Sequence, residues 1–162
     1  MSIFLHLPGV EGATTDAGHT GWLPIEKIEW GLDRKLTSPP GRRGGREASN
    51  AVFHEVTLRR PMDRATPNLV LNACCGRGQA VTLRLTRTGD GVGATVYAEY
   101  ILHNALVSEY TVRARGQGDA RPLEVLCLSF TAMEMTYVGQ DADGSALAPV
   151  VVGFDPQQNQ RL

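Results

Sequence analysis

The sequence predicts a mainly β fold: a β-barrel of two packed antiparallel sheets with one short α-helix and one long extended loop. Three observations predict it. Segments of alternating apolar and polar residues recur along the chain, a single segment has the features of a helix, and 18 Gly and 9 Pro supply turns between short strands. A chain of 162 residues can bury most of its unfolded surface around one core, so a single domain over residues 1–162 is expected.

The helix candidate runs from about Pro67 to Cys75. Thr66 stands where it would cap the N-terminus, a proline suits the first helical position, and Gly76 would end the helix in the left-handed conformation. One apolar stripe recurs at three- and four-residue spacing and should be buried against a sheet. The stripe consists of Leu69, Val70, Ala73 and Cys74. Because predicted strands flank the segment on both sides, the helix is expected to plug or cover the barrel.

Alternation also predicts strands in the first part of the chain. One covers residues 3–7 and ends at Pro8-Gly9, and another covers residues 52–60. Between them lies a strand with one core face and one solvent face. The core face carries Ile28, Trp30 and Leu32, and the solvent face carries Lys27, Glu29 and Gly31.

Residues 37–50 form the predicted extended loop. The segment is rich in Gly, Ser, Pro and Arg and has no residue suited to a core. Connections this long without their own structure are usually functional or disordered. Two interpretations therefore stay open for the isolated subunit, a functional arm and a flexible surface hairpin.

After the helix the chain is predicted to consist of strands and turns. The alternating segments are residues 81–88, 95–102, 106–113 and 150–154, with His103-Asn104 as a break between the second and the third. The predicted turns are residues 89–93, 116–119 and 141–144. Residues 123–137 are apolar on both faces, so this segment is either buried on both sides or packed against a neighbour.

Charge and cysteine content argue against several classes of protein. The 16 Lys plus Arg nearly cancel the 17 Asp plus Glu, so no global field attracts nucleic acid or an anionic membrane, and neither is an expected partner. The three cysteines provide no disulfide framework and no zinc spacing, and they are expected to be buried in a protein that folds in a reducing cytoplasm. The N-terminus lacks a basic signal-peptide region and no segment approaches the length of a membrane span, so export would need another machine.

No catalytic, metal or cofactor site is predicted. The four histidines lie in separate elements without metal-ligand spacing. They are His6, His19, His54 and His103. Asp141-Ala142-Asp143-Gly144 begins like a calcium loop, but Val152 stands where the bidentate glutamate belongs, so a turn is expected. An enzyme would require the scattered histidines and acids to converge in one cleft. A monomeric β-barrel that binds a small apolar ligand would require a sizeable internal cavity.

One set of segments, in a fixed order along nearly the whole chain, is similar to a known family. The most specific segment is Asp63-Arg64-Ala65-Thr66-Pro67-Asn68-Leu69. The others are residues 4–12, His19, residues 25–31, the glycine-rich loop of residues 37–50, Cys74-Cys75-Gly76, and Gly153-Phe154-Asp155 before a Gln- and Asn-rich end. In these segments the chain resembles the Hcp family, the haemolysin-coregulated proteins that form the inner tube of the bacterial type VI secretion system.

The resemblance implies an architecture and a function. It implies a β-barrel of two packed sheets with one helix, related in architecture to phage tail-tube proteins, of which six copies close into a ring. Such rings stack into a tube that is built in the cytoplasm inside a contractile sheath, carries a spike of the VgrG type and is secreted without a signal peptide. Small effector proteins can travel in the lumen. The expected partners are therefore other copies in a homo-hexamer, the spike, the sheath and effectors.

The resemblance also implies roles for particular residues. The strand bearing Lys27 and Glu29 resembles the pore-lining strand, so these side chains are expected to face the lumen. The extended loop resembles the hairpin that reaches the neighbouring ring, where Arg42, Arg43 and Arg46 are expected to pair with carboxylates. A closed ring needs a heterologous interface, and residues 123–137 are a candidate for part of it, although simple coverage by the helix explains them equally well. The chain is thus expected to be a structural protein without catalytic residues, cofactor or metal.

Overall fold

The computed structural model of the protein describes residues 1–37, 47–88, 94–116, 118 and 120–162. The strands in chain order are β1 (Ser2–His6), β2 (Leu23–Ile25), β3 (Lys27–Glu29), β4 (Leu32–Asp33), β5 (Leu36–Thr37), β6 (Glu47–Ala48), β7 (Val52–Phe53), β8 (Val56–Pro61), β9 (Gln79–Thr88), β10 (Ala94–Arg113), β11 (Leu123–Ser129), β12 (Ala132–Tyr137), β13 (Val150–Asp155) and β14 (Gln160–Arg161). The helix α1 (Thr66–Cys75) lies between β8 and β9.

The long strand β10 connects two antiparallel sheets. Its first half pairs with β9 and β12 in sheet A, which continues through β1 and β2 on one side and β13 and β14 on the other. Its second half pairs with β11, followed by β8 and β3, in sheet B. At the transition Asn104 has a positive φ of 50°, next to a register shift between Leu102 and Ala105. Asparagine tolerates this conformation, which lets β10 bend from one sheet into the other.

The core lies between the two sheets, where the inward faces of the strands meet. Leu5 and Leu83 from sheet A and Leu58 and Leu126 from sheet B are each at most 1% exposed. Helix α1 adds Leu69, which is also fully buried. The predicted fold class, mainly β with two packed antiparallel sheets and one short helix, is confirmed. Within the described ranges, no helix has the length and hydropathy needed to cross a bilayer.

Several predicted strands differ in extent from the observed ones. The strand expected over residues 52–60 is divided into β7 and β8, and the doubly apolar segment of residues 123–137 is divided into β11 and β12. In β11, Leu126 and Leu128 enter the core, whereas Val125 and Cys127 are only partly buried on the outer face. The break expected at His103-Asn104 is instead the bend within β10, because a bend and a turn interrupt the alternation in the same way.

Strand β3 ends earlier than the alternation predicts. Ile28 and Trp30 pack against the core as expected, but Leu32 is 48% exposed. Leu32 belongs to β4, which pairs with β7 outside the two main sheets. The prediction that Leu32 lies on the core face is therefore wrong.

Both predicted caps of α1 are also wrong. The N-cap is Ala65, while Thr66 is already helical and its hydroxyl donates to the carboxylate of Glu124. Gly76 is extended, with φ −62° and ψ 156°, and its N–H donates to the backbone oxygen of Asn72 over 2.7 Å. A Cβ at Gly76 would collide with that oxygen. Glycine is needed there because of close backbone approach and not because of a left-handed conformation.

The buried stripe of α1 is narrower than predicted. Leu69 is buried and Ala73 partly buried, but Val70 and Cys74 are exposed. The expected burial of the cysteines is likewise wrong, since Cys75 is exposed as well and Cys127 is only partly buried. A short helix that packs on one side leaves its opposite side in solvent. Apolar residues of α1 on that opposite side are therefore exposed.

Candidate assembly surfaces

The outer face of sheet B carries the residues expected to line a lumen. Lys27 Nζ lies 2.8 Å from Glu29 Oε1, and the two side chains are 49% and 50% exposed. The hydrogen bond from Lys27 is the main cause that lowers the pKa of Glu29, and the positive charges of Lys27 and Arg59 add to it. The ionised form of Glu29 is therefore favoured, and both side chains are solvated on this face. That the face borders a lumen stays a prediction.

Strand register extends this polar face across the whole of sheet B. Directly paired residues of neighbouring strands point to the same side. One row consists of Lys27, Arg59, Val125 and Thr111, and the next consists of Glu29, Thr57, Cys127 and Glu109. The face is thus continuous, largely polar and of mixed charge.

Sheet B also has two open edges within the described residues. On one side the sheet ends at β3, and on the other side β10 pairs only with β11 once it has passed Ala105. Open edges expose backbone N–H and C=O groups that a strand from another chain can bind. The sheet can therefore be continued laterally by a neighbouring subunit.

A two-stranded arm lies outside the two main sheets, on either side of residues 38–46 in the sequence. It consists of β4 paired with β7 and β5 paired with β6. The predicted unstructured loop of residues 37–50 is therefore too long, because the backbone from Glu47–Ala48 pairs with Leu36–Thr37. Arg42, Arg43 and Arg46 lie outside the described residues. Leu32, Leu36 and Val52 on the arm are 48%, 56% and 61% exposed, which is unusual for aliphatic residues of a two-stranded ribbon in water.

Beside the base of the arm lies an apolar groove of about 360 Å³. One wall is formed by Trp30, Leu32 and Phe53, and the other is formed by Met133, Met135, Val152 and Phe154 of β12 and β13, with Arg161 of β14 as the charged lining residue. The rings of Trp30 and Phe53 are stacked at 6.5 Å, and those of Phe53 and Phe154 at 5.9 Å. Both methionines of the groove belong to the segment of residues 123–137, which was a candidate for part of an interface. The sequence did not predict this role for β13.

The segment from Asp63 to Leu69 anchors α1 to sheet B through buried charges. Arg60 and Glu124 are both fully buried, and Arg60 Nη1 donates to Glu124 Oε2 over 2.9 Å. Tyr110 donates to Glu124 Oε1 over 2.8 Å, and the Thr66 hydroxyl donates to the same oxygen. Asp63 forms an ion pair with Arg60 and accepts from the N–H of Ala65 over 2.8 Å.

Within this network Tyr110 is electrostatically perturbed. Burial raises its pKa to about 12, and the hydrogen bond to the Glu124 carboxylate and the charge of that carboxylate add to the effect. Since an ionised tyrosine next to this carboxylate is unfavourable, Tyr110 remains a donor. The network links the N-terminus of α1 to β8, β10 and β11, so we interpret its role as structural.

Two of the four histidines, His6 and His19, pack against Trp22, each with ring centroids 5.1 Å apart, whereas His54 and His103 pair with acidic residues of other elements. His19 lies against Asp16 at 2.8 Å, His54 against Asp33 at 2.8 Å, and His103 against Glu134 at 2.6 Å. Among the described residues, no three His, Cys, Asp or Glu side chains come together in an arrangement that could hold a metal ion.

Comparison with known proteins places this geometry in a family. The family model described as type VI secretion system effector, Hcp, matches residues 4–137. The chain belongs to the Hcp family. The resemblance found in the sequence is therefore confirmed. Family membership makes the chain a component of the type VI secretion system and implies secretion through that system.

Solved Hcp structures share the fold. A type six secretion system protein is 24% identical, with a TM-score of 0.88 and 99% of both chains covered. Hcp1 from Salmonella typhimurium is 19% identical, with a TM-score of 0.78 and coverage of 99% of this chain and 98% of that one. Hcp2 from Salmonella typhimurium is 17% identical, with a TM-score of 0.72 and 99% of both chains covered. No curated protein sequence matches the chain.

Sequence reasoning missed the network that anchors α1 and the part of β13 in the groove. A signal for the network was present, because Arg60 and Glu124 stand at core-facing positions of their strands, where the alternation demands apolar residues. Two oppositely charged residues at such positions indicate a buried pair. For the groove the signal was weaker, since the alternation of residues along β13 does not show which face of the strand packs against other residues.

Proposed function

We propose that the chain is a structural subunit of the type VI secretion tube that closes into hexameric rings, and that these rings stack into a tube whose lumen carries effectors. The apolar groove is the single observation that carries this proposal. Leu32 and Val152 of its walls are 48% and 49% exposed in the isolated chain, and most of the other lining residues are only partly buried. The groove lies next to an arm with further exposed aliphatic residues. Burying such surface against a second copy removes it from water at about 25 cal/mol per Å².

The groove and the arm supply a heterologous contact, which a closed ring requires. In such a contact one patch of a subunit meets a different patch on the next subunit, so no subunit pairs with itself. The groove then receives apolar residues of a neighbour, and the open edges of sheet B allow the polar sheets of successive subunits to continue around the ring. Lys27 and Glu29 lie on the outer face of sheet B and would line the lumen.

Stacking is assigned to the arm. Residues 38–46 connect its two strands in the sequence, and Arg42, Arg43 and Arg46 in this segment would pair with carboxylates of the next ring. The tube would be assembled in the cytoplasm within a contractile sheath, would carry a VgrG-type spike and would leave the cell through the type VI system. Its function is mechanical and involves no catalysis, cofactor or metal.

The same groove favours a second candidate, a monomeric protein that binds a small apolar ligand. A volume of about 360 Å³ falls within the range of ligand pockets. The two functions differ in what covers the groove, a neighbouring subunit or a ligand. Oligomeric state therefore distinguishes them.

Substitution of one β13 valine tests the ring interface. Val152 lines the groove and is 49% exposed, whereas Val151 points to the opposite side of the same strand and is 53% exposed. Val152→Asp is expected to shift the protein from hexamer to monomer in size-exclusion chromatography with light scattering, because a charge then enters an apolar interface. Val151→Asp is the matched control and is expected to keep the hexamer. A hexamer that tolerates Val152→Asp would contradict the proposed role of the groove, and a wild-type monomer that co-purifies with an apolar ligand would support the second candidate.

A further inference from the structure

A pair of like charges stands on the outer face of sheet B. Lys27 and Arg59 are directly opposite each other on β3 and β8, and both are exposed. Like charges at directly opposite positions destabilise a sheet. Glu29 offsets this repulsion in part through its 2.8 Å contact with Lys27. The remaining repulsion between Lys27 and Arg59 destabilises the free subunit, and an anionic partner bound on this face would reduce it.

The cationic character increases toward one end of the same face. In the row next to Lys27 and Arg59, Pro61 pairs with Leu123 and Leu123 with Arg113. Beyond this row a cleft of about 740 Å³ opens, whose basic lining residues are Arg113, Arg115 and Arg121. Its one acidic lining residue is Glu26, and among the described residues none of the three arginines forms an ion pair with a carboxylate.

We infer that this cleft, together with Lys27 and Arg59, binds an acidic polypeptide segment carried against sheet B. Guanidinium groups bind carboxylates in bidentate geometry, and the three arginines converge on one cleft. The inference deepens the proposed function and rests on it, since it gives the chemical class of cargo that a lumen lined by sheet B would select. Effectors with an acidic tail or loop fit this surface, whereas basic ones are repelled by it.

The lining of the cleft favours a peptide over a nucleic acid. Pro61, Pro122 and Leu123 line the cleft together with the arginines, so a matching ligand brings apolar side chains as well as anionic ones. A nucleic-acid site would need cations spaced along a phosphate backbone and aromatic stacking platforms. Among the described residues that line the cleft, none is aromatic.

Fluorescence anisotropy with three labelled probes tests the inference on the full-length protein. The probes are a decapeptide of alternating Glu and Leu, its Lys and Leu counterpart, and a thymidine decanucleotide. The acidic peptide is expected to bind most tightly and to weaken with added salt, because charge-assisted contacts are screened. Arg115→Glu is expected to weaken its binding at least about tenfold, as the loss of one charge-assisted contact implies. Arg77→Glu is the matched control, an exposed arginine outside the cleft whose reversal should leave the affinity unchanged.

A second variant separates a binding role of Arg59 from a structural one. Arg59→Thr removes the like charge opposite Lys27, so affinity for the acidic peptide should fall severalfold while urea unfolding shows no loss of stability. Equal binding of the acidic and basic peptides, tighter binding of the oligonucleotide, or an Arg115→Glu affinity equal to wild type would each overturn the inference. Light scattering of the same samples reports ring formation separately. Rings without acidic-peptide binding refute this inference alone, and a monomer refutes the proposed function whether or not the peptide binds.

Discussion

Removing the Glu124 carboxylate should destabilise the protein far more than removing an exposed carboxylate. Glu124 is fully buried and accepts hydrogen bonds from Arg60, Thr66 and Tyr110. Glu124→Ala leaves those donors without their shared acceptor and leaves the buried guanidinium of Arg60 with Asp63 as its remaining described partner. Breaking a buried ion pair from one side costs about 3–5 kcal/mol.

The expected loss can be read by urea unfolding and by thermal melting. In a chain of this size 1 kcal/mol corresponds to about 2–4 °C in Tm, so Glu124→Ala should lower Tm by roughly 6–20 °C. Glu124→Gln keeps the shape and one acceptor oxygen and should lose less. Because oligomerisation raises apparent stability, all variants must be compared at one protein concentration.

The control is Glu29→Ala, which breaks the half-exposed pair with Lys27. Exposed ion pairs contribute about 0–1 kcal/mol, so its Tm should change by no more than roughly 4 °C. If Glu124→Ala costs no more than Glu29→Ala, the anchoring role assigned to the buried network is wrong.

Three further predictions concern pH, the lumen and the arm. The free energy of unfolding should fall between about pH 10 and pH 12, because the pKa of Tyr110 is raised to about 12 in the folded state. In this range the folded state keeps the tyrosine proton and the unfolded state has lost it. Tyr110→Phe should remove this part of the alkaline loss in pH-dependent urea unfolding. In assembled tubes, a small amine-reactive acetyl reagent should modify Lys27, whereas a bulky amine-reactive polyethylene glycol reagent should not. After the tubes dissociate, both reagents should modify it. Modification of Lys27 by the bulky reagent in intact tubes, detected by mass spectrometry, would place this residue outside the lumen. Deletion of residues 42–46 should leave hexamers intact but shorten or abolish tubes in electron micrographs, and unchanged tube length would remove the arm from stacking.

The sequence was sufficient for the family and for the fold class, because alternation, turn residues and one capped-looking helix are local signals. Its errors arose where tertiary contacts override local preference. Thr66 has the residue type of an N-cap, yet it lies within α1 and its hydroxyl donates to Glu124 of β11. Leu32 continues the alternation of β3, yet the chain leaves sheet B after Glu29 and places it on the arm.

The assembly surfaces were only partly predictable for a related reason. Lys27 and Glu29 were correctly assigned to the solvent face, since period-two alternation determines which side chains share a face. The groove between the arm and β13 depends on how distant segments meet, which alternation does not encode. Val151 and Val152 are equally apolar in sequence, and it is the pairing of β13 with β12 that puts Val152 beside Met135.

The central claim is that the chain covers exposed apolar surface with copies of itself. Negative-stain images of the purified wild-type protein, with the particle mass from light scattering, test this most directly. The account predicts ring-shaped particles with six times the mass of a single chain. Uniform monomers without rings at high protein concentration would contradict it.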